Sequence, residues 1–285
     1  MIITEINGGL GNQLFQYAAG LSLAEKHQTQ LKINVDFKQA DTSRTLGLSH
    51  FNIFLDTATP EEIKHYYPTS LLFRKILSYL PLALQKFYKE RQFSYQPDFE
   101  KLGPNVYLKG YWQSERYFSK IEKNIKATFT LNPQYFEDAK ALIDELSNSE
   151  SVSIHVRKGD YLVQPYLDYY EQLDSDYYQR AISKINTYNQ NIRLYVFTDD
   201  AQWVKQHLVL DTPYTIISGT LTKSMYEDFE AMKSCKYHVI ANSSFSWWTA
   251  WLSARQDKKV IAPKYWFNDG PKDTEDLIPK TWHLL

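Results

Sequence analysis

The sequence predicts an α/β protein of two units facing each other across a cleft. Three observations carry that expectation. Strands and helices alternate regularly from residue 151 onward, the pattern of a parallel, doubly wound sheet. The amino terminus opens with a β-α-β pattern around a glycine turn. Finally, 285 residues with 43% hydrophobic side chains exceed one ordinary domain and suffice for two packed cores.

Ile2 to Ile6 reads as a strand running into Asn7-Gly8-Gly9-Leu10-Gly11. Leu14, Tyr17, Ala18, Leu21 and Ala24 then recur at three- and four-residue steps, one apolar helical stripe. Leu31 to Val35 reads as the second strand. The middle, residues 41–148, is less regular. Pro60-Glu61-Glu62 marks a helix start. Residues 71–89 read as an amphipathic basic helix interrupted by Pro81, suited to burial against its own domain or to a membrane surface. Residues 105–111 form a plausible strand leading to Gly110-Tyr111-Trp112-Gln113. Beyond residue 149 the expected strands are 151–156, 193–198, 214–218, 237–241 and 259–262, with helices at 175–188, after Asp199-Asp200, at 224–235 and after Asn242-Ser243-Ser244. The expected domains are residues 1–148 and 149–285.

Composition excludes several classes. A net charge of −1 lacks the dense basic footprint that sequence-independent nucleic-acid binding needs. The one cysteine, Cys235, forms no internal disulfide, and no Cys/His spacing suits zinc, which fits a reducing, cytoplasmic setting. MIITEINGG carries no signal-peptide pattern, and no apolar run approaches the roughly 20 residues that span a bilayer. Twenty-two Tyr, fifteen Phe and seven Trp can fill cores or stack on sugars and bases. Tyr111, Trp112 and Gln113 are candidates for a sugar-stacking edge, with core packing the alternative.

Three constellations carry chemistry. Gly9-Leu10-Gly11-Asn12-Gln13-Leu14 fits a dinucleotide fingerprint except for Leu14 at the third glycine position. Asp36 suits a ribose contact in such a scheme; the alternative is a tight turn that lets backbone, Gly11 and Asn12 approach a ligand, or no ligand at all. In His155-Val156-Arg157-Lys158-Gly159-Asp160-Tyr161, strand alternation puts His155 and Arg157 on one face and Arg157 at the strand's carboxyl tip. A guanidinium there matches a phosphate bidentately, and Asp160 can preorganise it through an ion pair. The plain alternative is a surface Arg–Asp pair beside a core histidine. In Asn242-Ser243-Ser244-Phe245-Ser246, serines at a strand-to-helix turn offer either a helix cap or an anion cradle. Asp228 has a carboxylate suited to the N–H edge of guanine. Asp174-Ser175-Asp176 has metal-site spacing but sits where a helix cap is expected, so no metal site is assigned.

These blocks together resemble glycosyltransferase family 11, the α-1,2-fucosyltransferases, of bacterial type. Residues 8–17 resemble the amino-terminal signature, residues 155–161 the donor-binding motif and residues 242–248 a third block, in order along nearly the whole chain. The resemblance implies a GT-B fold of two Rossmann-like domains, the first on the acceptor side and the second binding donor. It implies GDP-β-L-fucose as donor, inversion, no metal or other cofactor, and the 2-hydroxyl of a terminal β-galactoside as acceptor, in glycan or O-antigen synthesis. By position, Arg157 meets the pyrophosphate, Ser243, Ser244 and Phe245 cap the phosphates, Asp228 pairs with guanine, and Gly11 and Asn12 line the fucose side. Lys158 stands where many members carry a second arginine; it keeps the charge without the bidentate fork.

The expected reaction is a single displacement in which Arg157 stabilises the leaving phosphate, with Asp160 or His155 as candidate base. Two other readings remain at this level: a nicotinamide-dependent oxidoreductase using the Gly9–Gly11 turn, and a non-catalytic glycan-binding protein. Cytoplasmic location is expected, with peripheral association at the inner membrane a further option through residues 70–89.

Overall fold

The computed structural model describes residues 1–35, 45–67, 70 and 79–285. Two compact units divide the chain. Residues 1–130 with 273–279 form the first, and residues 131–272 with 280–285 the second. The expected division at 148/149 lies later, because α4 (Lys140–Ser147), which precedes it, packs on α8 (Met225–Ser234) of the second unit.

In the first unit, β1 (Ile2–Ile6), β2 (Leu31–Val35), β3 (Phe87–Lys89) and β4 (Val106–Lys109) make a parallel sheet in the order β2-β1-β4-β3. Every residue of β1 is buried, as expected of a central strand in a parallel sheet. α1 (Leu10–Lys26) lies on this sheet. The contact is close at Gly20, where a Cβ would come 2.8 Å from Leu31 and 3.1 Å from Thr4. Close helix–strand approach, absent from the fingerprint at Leu14, is thus supplied two turns later. α2 (Pro60–Tyr66) begins as expected, with a capping box in which Thr59 and Glu62 satisfy each other's backbone N–H groups.

The helix expected over residues 71–89 is corrected where the chain is described. Residues 82–84 form a 3₁₀ turn and Phe87–Lys89 is an edge strand paired with β4. Pro81 ends any helical run, and the alternation after it follows the strand period. Residues 71–78, and Asp36, lie outside the described residues.

The second unit contains β5 (Ser151–Val156), β6 (Arg193–Thr198), β7 (Tyr214–Ile216), β8 (Tyr237–Val239), β9 (Lys259–Ala262) and β10 (His283–Leu284). All are parallel, in the order β10-β9-β8-β5-β6-β7. From β5 the chain winds outward through β6 to β7, then returns to β8 on the other side and winds outward again. This is the dinucleotide-fold order, and its switch point lies between β5 and β8. Helix α6 (Ser175–Asn186) covers one face through Tyr177, Tyr178, Ala181, Ile182 and Ile185, packed on Val152, Ile154 and Val156. α8 and α9 (Ser244–Leu252) pack on each other, with Phe229 and Phe245 edge to face at 5.4 Å. No described helix is long and apolar enough to cross a membrane.

Glu90 illustrates how the first sheet's carboxyl edge is held. Its two carboxylate oxygens accept the backbone N–H groups of Tyr111 at 2.7 Å and Trp112 at 3.0 Å. Gly110 is required beside it, since a Cβ there would lie 2.4 Å from the Glu90 Cβ. Burial pushes the Glu90 carboxyl up to about 7, and the two N–H bonds offset only part of that. A carboxyl raised in the folded state favours folding below its unfolded value, and that advantage fades as pH climbs to the folded one. Stability should therefore fall between about pH 4.5 and 7 by on the order of 3 kcal/mol from this group. Denaturant titrations across this range are expected to show the decline, and Glu90→Gln to flatten it.

Candidate functional site

The carboxyl ends of β8, β5, β6 and β7 each deliver chemistry-bearing residues to one edge of the second sheet. β5 and β8 are neighbours, with Ile154 opposite Val239. The Arg157 loop and the Asn242-Ser243 turn therefore leave adjacent strands at the switch point. Two contacts bind them there. The Tyr161 hydroxyl donates to the Asn242 carbonyl at 3.0 Å, and the His155 ring lies 5.8 Å from that of Phe245.

Arg157 is gripped from two sides. Its Nη2 donates to Asp160 at 2.6 Å and its Nη1 pairs with Asp199 at 2.9 Å, while the guanidinium carbon lies 5.5 Å from the Tyr161 ring centre. Burial alone would weaken the charged form, but Asp199 and then Asp160 more than reverse this, so the guanidinium is held more firmly protonated than usual. Asp199 also accepts the Lys158 backbone N–H at 2.8 Å. It presses on Gly159 so closely that a Cβ there would come 2.4 Å from its Oδ2. The glycine is thus a close-approach site for a carboxylate, which sets the loop's path.

The sequence points to Asp160 as the partner of Arg157 but gives no sign of Asp199. The register of β5 on β6, with Val156 opposite Thr198, is what brings residue 199 beside 157. Strand order was the information lacking, since the sequence shows that strands alternate with helices but not which two lie side by side.

Lys158 requires a correction. Its ammonium donates to the Leu173 carbonyl at 2.8 Å and lies 4.5 Å from the Trp203 ring centre, and the residue is only 4% exposed. Strand alternation explains the outcome, because residue 158 follows Val156 onto the face packed against α6 while Arg157 follows His155 onto the other. Burial lowers the ammonium's pKa, with Asp174 and Asp199 opposing it. Lys158 is a packed structural cation here, not a phosphate ligand.

His155 as a base is likewise disfavoured. Burial drops its pKa to about 3, with the nearby Arg157 charge adding to the effect, so the ring is neutral and a poor proton acceptor. Its Nδ1 is buried without a hydrogen-bond partner among the described groups.

Ser243 stands at the amino-terminal cap of α9, yet its side chain makes no capping hydrogen bond. The capping alternative is thereby removed for this hydroxyl. The helix is nine residues long and its N-cap side chain does not bond the first-turn N–H groups, an arrangement compatible with an anion at a helix start. Ser244 opens the helix and Phe245 follows, half-buried against Phe229 and His155. Asp228 lies on the first turn of α8. Ser218 donates to its Oδ2 at 2.7 Å and Thr222 to its Oδ1. Burial raises this carboxyl, and the two hydroxyl bonds lower it in part. Ser218 also accepts the Thr198 N–H, tying Asp228 to the ends of β6 and β7. Each carboxylate oxygen keeps capacity for a further donor.

Gly11 and Asn12 belong to the first unit. The Gly8 turn has φ +73°, which favours glycine, and a Cβ there would press on Asn12 at 3.0 Å. The Asn12 side-chain oxygen accepts from Gln113 at 2.7 Å. Gln13, unassigned from sequence, donates to the carbonyls of Gly8 and Thr45 and accepts from Gly47 N–H; Gln16 exchanges two hydrogen bonds with Asn7. Both glutamines are buried clamps on the glycine turn. Trp112 is wholly buried and Gln113 nearly so, so of the expected sugar-stacking edge only Tyr111 is exposed. Asp174 caps α6 through the Tyr177 N–H, and Asp176 pairs with Arg180. Among the described residues no cluster of three or more His, Cys, Asp or Glu side chains suits a metal ion.

Comparison with known proteins fits this geometry. The family model described as Glycosyl transferase family 11 matches residues 1–285. The chain is 30% identical to an Escherichia coli alpha-1,2-colitosyltransferase over 99% of this chain and 98% of that protein. It is 31% identical to the Escherichia coli O-antigen biosynthesis glycosyltransferase WbnK, over 95% and 97%. Rattus norvegicus galactoside alpha-(1,2)-fucosyltransferase 1 is 25% identical over 86% of this chain and 62% of that protein. Among solved structures, an Arabidopsis thaliana FUT1 mutant in complex with GDP matches with TM-score 0.55 at 11% identity, covering 98% of this chain and 74% of that one. POFUT1 in complex with GDP-fucose matches with TM-score 0.51 at 12% identity, covering 92% and 97%. The structural likenesses establish the GT-B fold class alone. With a family match along its full length and relatives near 30% identity over almost all of it, this chain belongs to glycosyl transferase family 11 and is a glycosyltransferase.

Proposed function

We propose that the chain transfers L-fucose from GDP-β-L-fucose to the 2-hydroxyl of a terminal β-galactoside, with inversion and without a metal, in the synthesis of an O-antigen-type glycan. The observation that carries the donor half is Arg157 at the switch point beside the side-chain-uncapped start of α9. A relative named for α-1,2 transfer to galactosides supports the linkage and acceptor. A relative in O-antigen biosynthesis supports the setting.

In this reading Arg157, Ser243, Ser244 and the first turn of α9 hold the diphosphate, Phe245 closes over it and Asp228 accepts guanine N–H groups. The acceptor oxygen attacks the anomeric carbon as the bond to the β-phosphate oxygen breaks, and GDP leaves with the electron pair. The phosphate competes with Asp160 for Arg157 Nη2 while Asp199 retains Nη1. Asp160, so released, is the carboxylate proposed to take the hydroxyl proton. Arg157 with both aspartates carries net negative charge, which opposes an incoming anion; the α9 amino terminus and serine donors compensate.

A second donor is favoured by a specific observation: the 30% identical relative named as a colitosyltransferase. Colitose lacks one hydroxyl of L-fucose, so GDP-colitose fits the same diphosphate cradle. Incubation of lactose with each sugar nucleotide, followed by mass spectrometry of the product, separates the two donors. A fucosylated product is expected; turnover of GDP-colitose alone would transfer the reading to that sugar, and no product from either would overturn it.

Arg157→Ala is expected to raise the barrier by about 3 kcal/mol, a loss of two orders of magnitude or more in kcat/KM. Near-normal turnover in this variant would remove Arg157 from the mechanism. Gly159→Ala should lower kcat/KM by about tenfold by displacing the Asp199 carboxylate. Because that damage acts through Asp199, the Gly159→Ala/Asp199→Ala pair should cost no more than Asp199→Ala alone; additive losses would contradict the contact.

A further inference from the structure

The segment that follows the Arg157 loop is an aromatic strap. Tyr161 stacks on Tyr170 with ring centres 4.0 Å apart and planes within 4°, and Tyr170 in turn meets Tyr169 at 5.0 Å and Tyr166 at 6.1 Å. Phe267 backs the group at 5.1 Å from Tyr169 and 5.5 Å from Tyr170. The strap is pinned by backbone: Asn268 N–H donates to the Tyr169 carbonyl, and residues 170 and 267 form a β-bridge. Gln172 adds side-chain donations to the carbonyls of Tyr161, Leu167 and Tyr170. So rigid an array loses little freedom when a ligand settles on it.

Its outer surface is nonetheless open. Val163 is 61% exposed, Tyr166 41% and Tyr169 36%. Exposed tyrosine offers a flat apolar face with a hydroxyl at its rim, which matches a pyranose with its apolar C–H face and ring of hydroxyls. The neighbouring charges are the carboxylates of Asp160, Asp168 and Asp269, in excess over the Arg157 and Lys272 cations; Gln164 donates to Asp168 at 2.9 Å and Lys272 to the Asn268 carbonyl beside Tyr169. Carboxylates accept from sugar hydroxyls and repel anionic lipid headgroups, so the surface suits a neutral sugar better than a membrane. The array is also continuous with the donor cradle, since Tyr161 lies against the Arg157 guanidinium and bonds to Asn242 at the switch point.

We propose that Tyr166 and Tyr169 form a stacking platform for a neutral pyranose of the acceptor glycan, a subsite carried by the second unit. The proposal rests on the reading that GDP-fucose is the donor and a galactoside the acceptor. It also reassigns the sugar-stacking role expected of residues 111–113, where Trp112 and Gln113 are buried.

The test compares wild type with the Tyr166→Ala/Tyr169→Ala and Tyr166→Phe/Tyr169→Phe variants, using lactose as acceptor. Acceptor KM is expected to rise about tenfold in the alanine variant, with kcat at saturating lactose and calorimetric GDP affinity within about twofold of wild type. The phenylalanine variant, which keeps the rings, should stay near wild type in KM. In a second measurement, fluorine NMR of protein carrying 3-fluorotyrosine at position 166 should show a lactose-dependent shift whatever the variants do. GDP binding with unchanged lactose KM in the alanine variant overturns the platform, as does a fluorine resonance insensitive to lactose. Binding of the wild type to anionic vesicles that the alanine variant loses, without a change in lactose KM, assigns the surface to lipid instead. A wild-type chain without affinity for GDP overturns the GDP-fucose donor reading, and the platform with it.

Discussion

The second unit is organised around one partly buried guanidinium held by two carboxylates at a sheet's topological switch point. An arginine at a strand tip is flexible unless its guanidinium is bonded. Asp199 bonds it from the neighbouring strand and Asp160 from its own loop. Together they convert a long side chain into a fixed charge. Asp199 does more, because it also takes the Lys158 N–H and requires glycine at 159. The loop's path and the arginine's aim are thus two consequences of a single carboxylate.

Fixing a cation in this way has an electrostatic cost for anion binding. Two acids around one base leave the cluster negative, and only donors without compensating acids can make it receptive to phosphate. In the proposed reading the turn after β8 supplies such donors, the Ser243 hydroxyl and the N–H groups of the helix start, which bring partial positive charge without a counterion. Placement of that turn next to β5 follows from strand order, not from local sequence. Fold and chemistry therefore meet at the β5–β8 junction, and the rest of the sheet serves to hold these two strand ends side by side.

Much of this is legible in the sequence. The β1 and β2 bounds, the α2 start and all five strands expected in the second unit emerge within a residue or two, because buried parallel strands read as short apolar runs between polar turns. Arg157 at a strand tip and its Asp160 pair were also legible, since both follow from alternation and three-residue spacing. What escaped depended on pairing across the chain. Asp199 required knowing that β6 adjoins β5. Lys158 illustrates a charge that reads as a ligand but turns inward, because alternation sends it to the α6 face where a carbonyl and an indole receive it. The middle region misled where β3 forms, since three residues of edge strand carry too little periodic signal to compete with a helix-like stripe. His155 shows the opposite failure, a catalytic residue type placed where burial silences its chemistry.

The central claim is that Arg157 recognises the second phosphate of a nucleoside diphosphate. Calorimetric affinities of GDP and GMP for wild type and for Arg157→Ala address it most directly, since the comparison isolates one phosphate and one side chain. The account requires wild type to prefer GDP by about tenfold or more and the variant to lose most of that preference. A preference for GDP that persists undiminished without the guanidinium would contradict it.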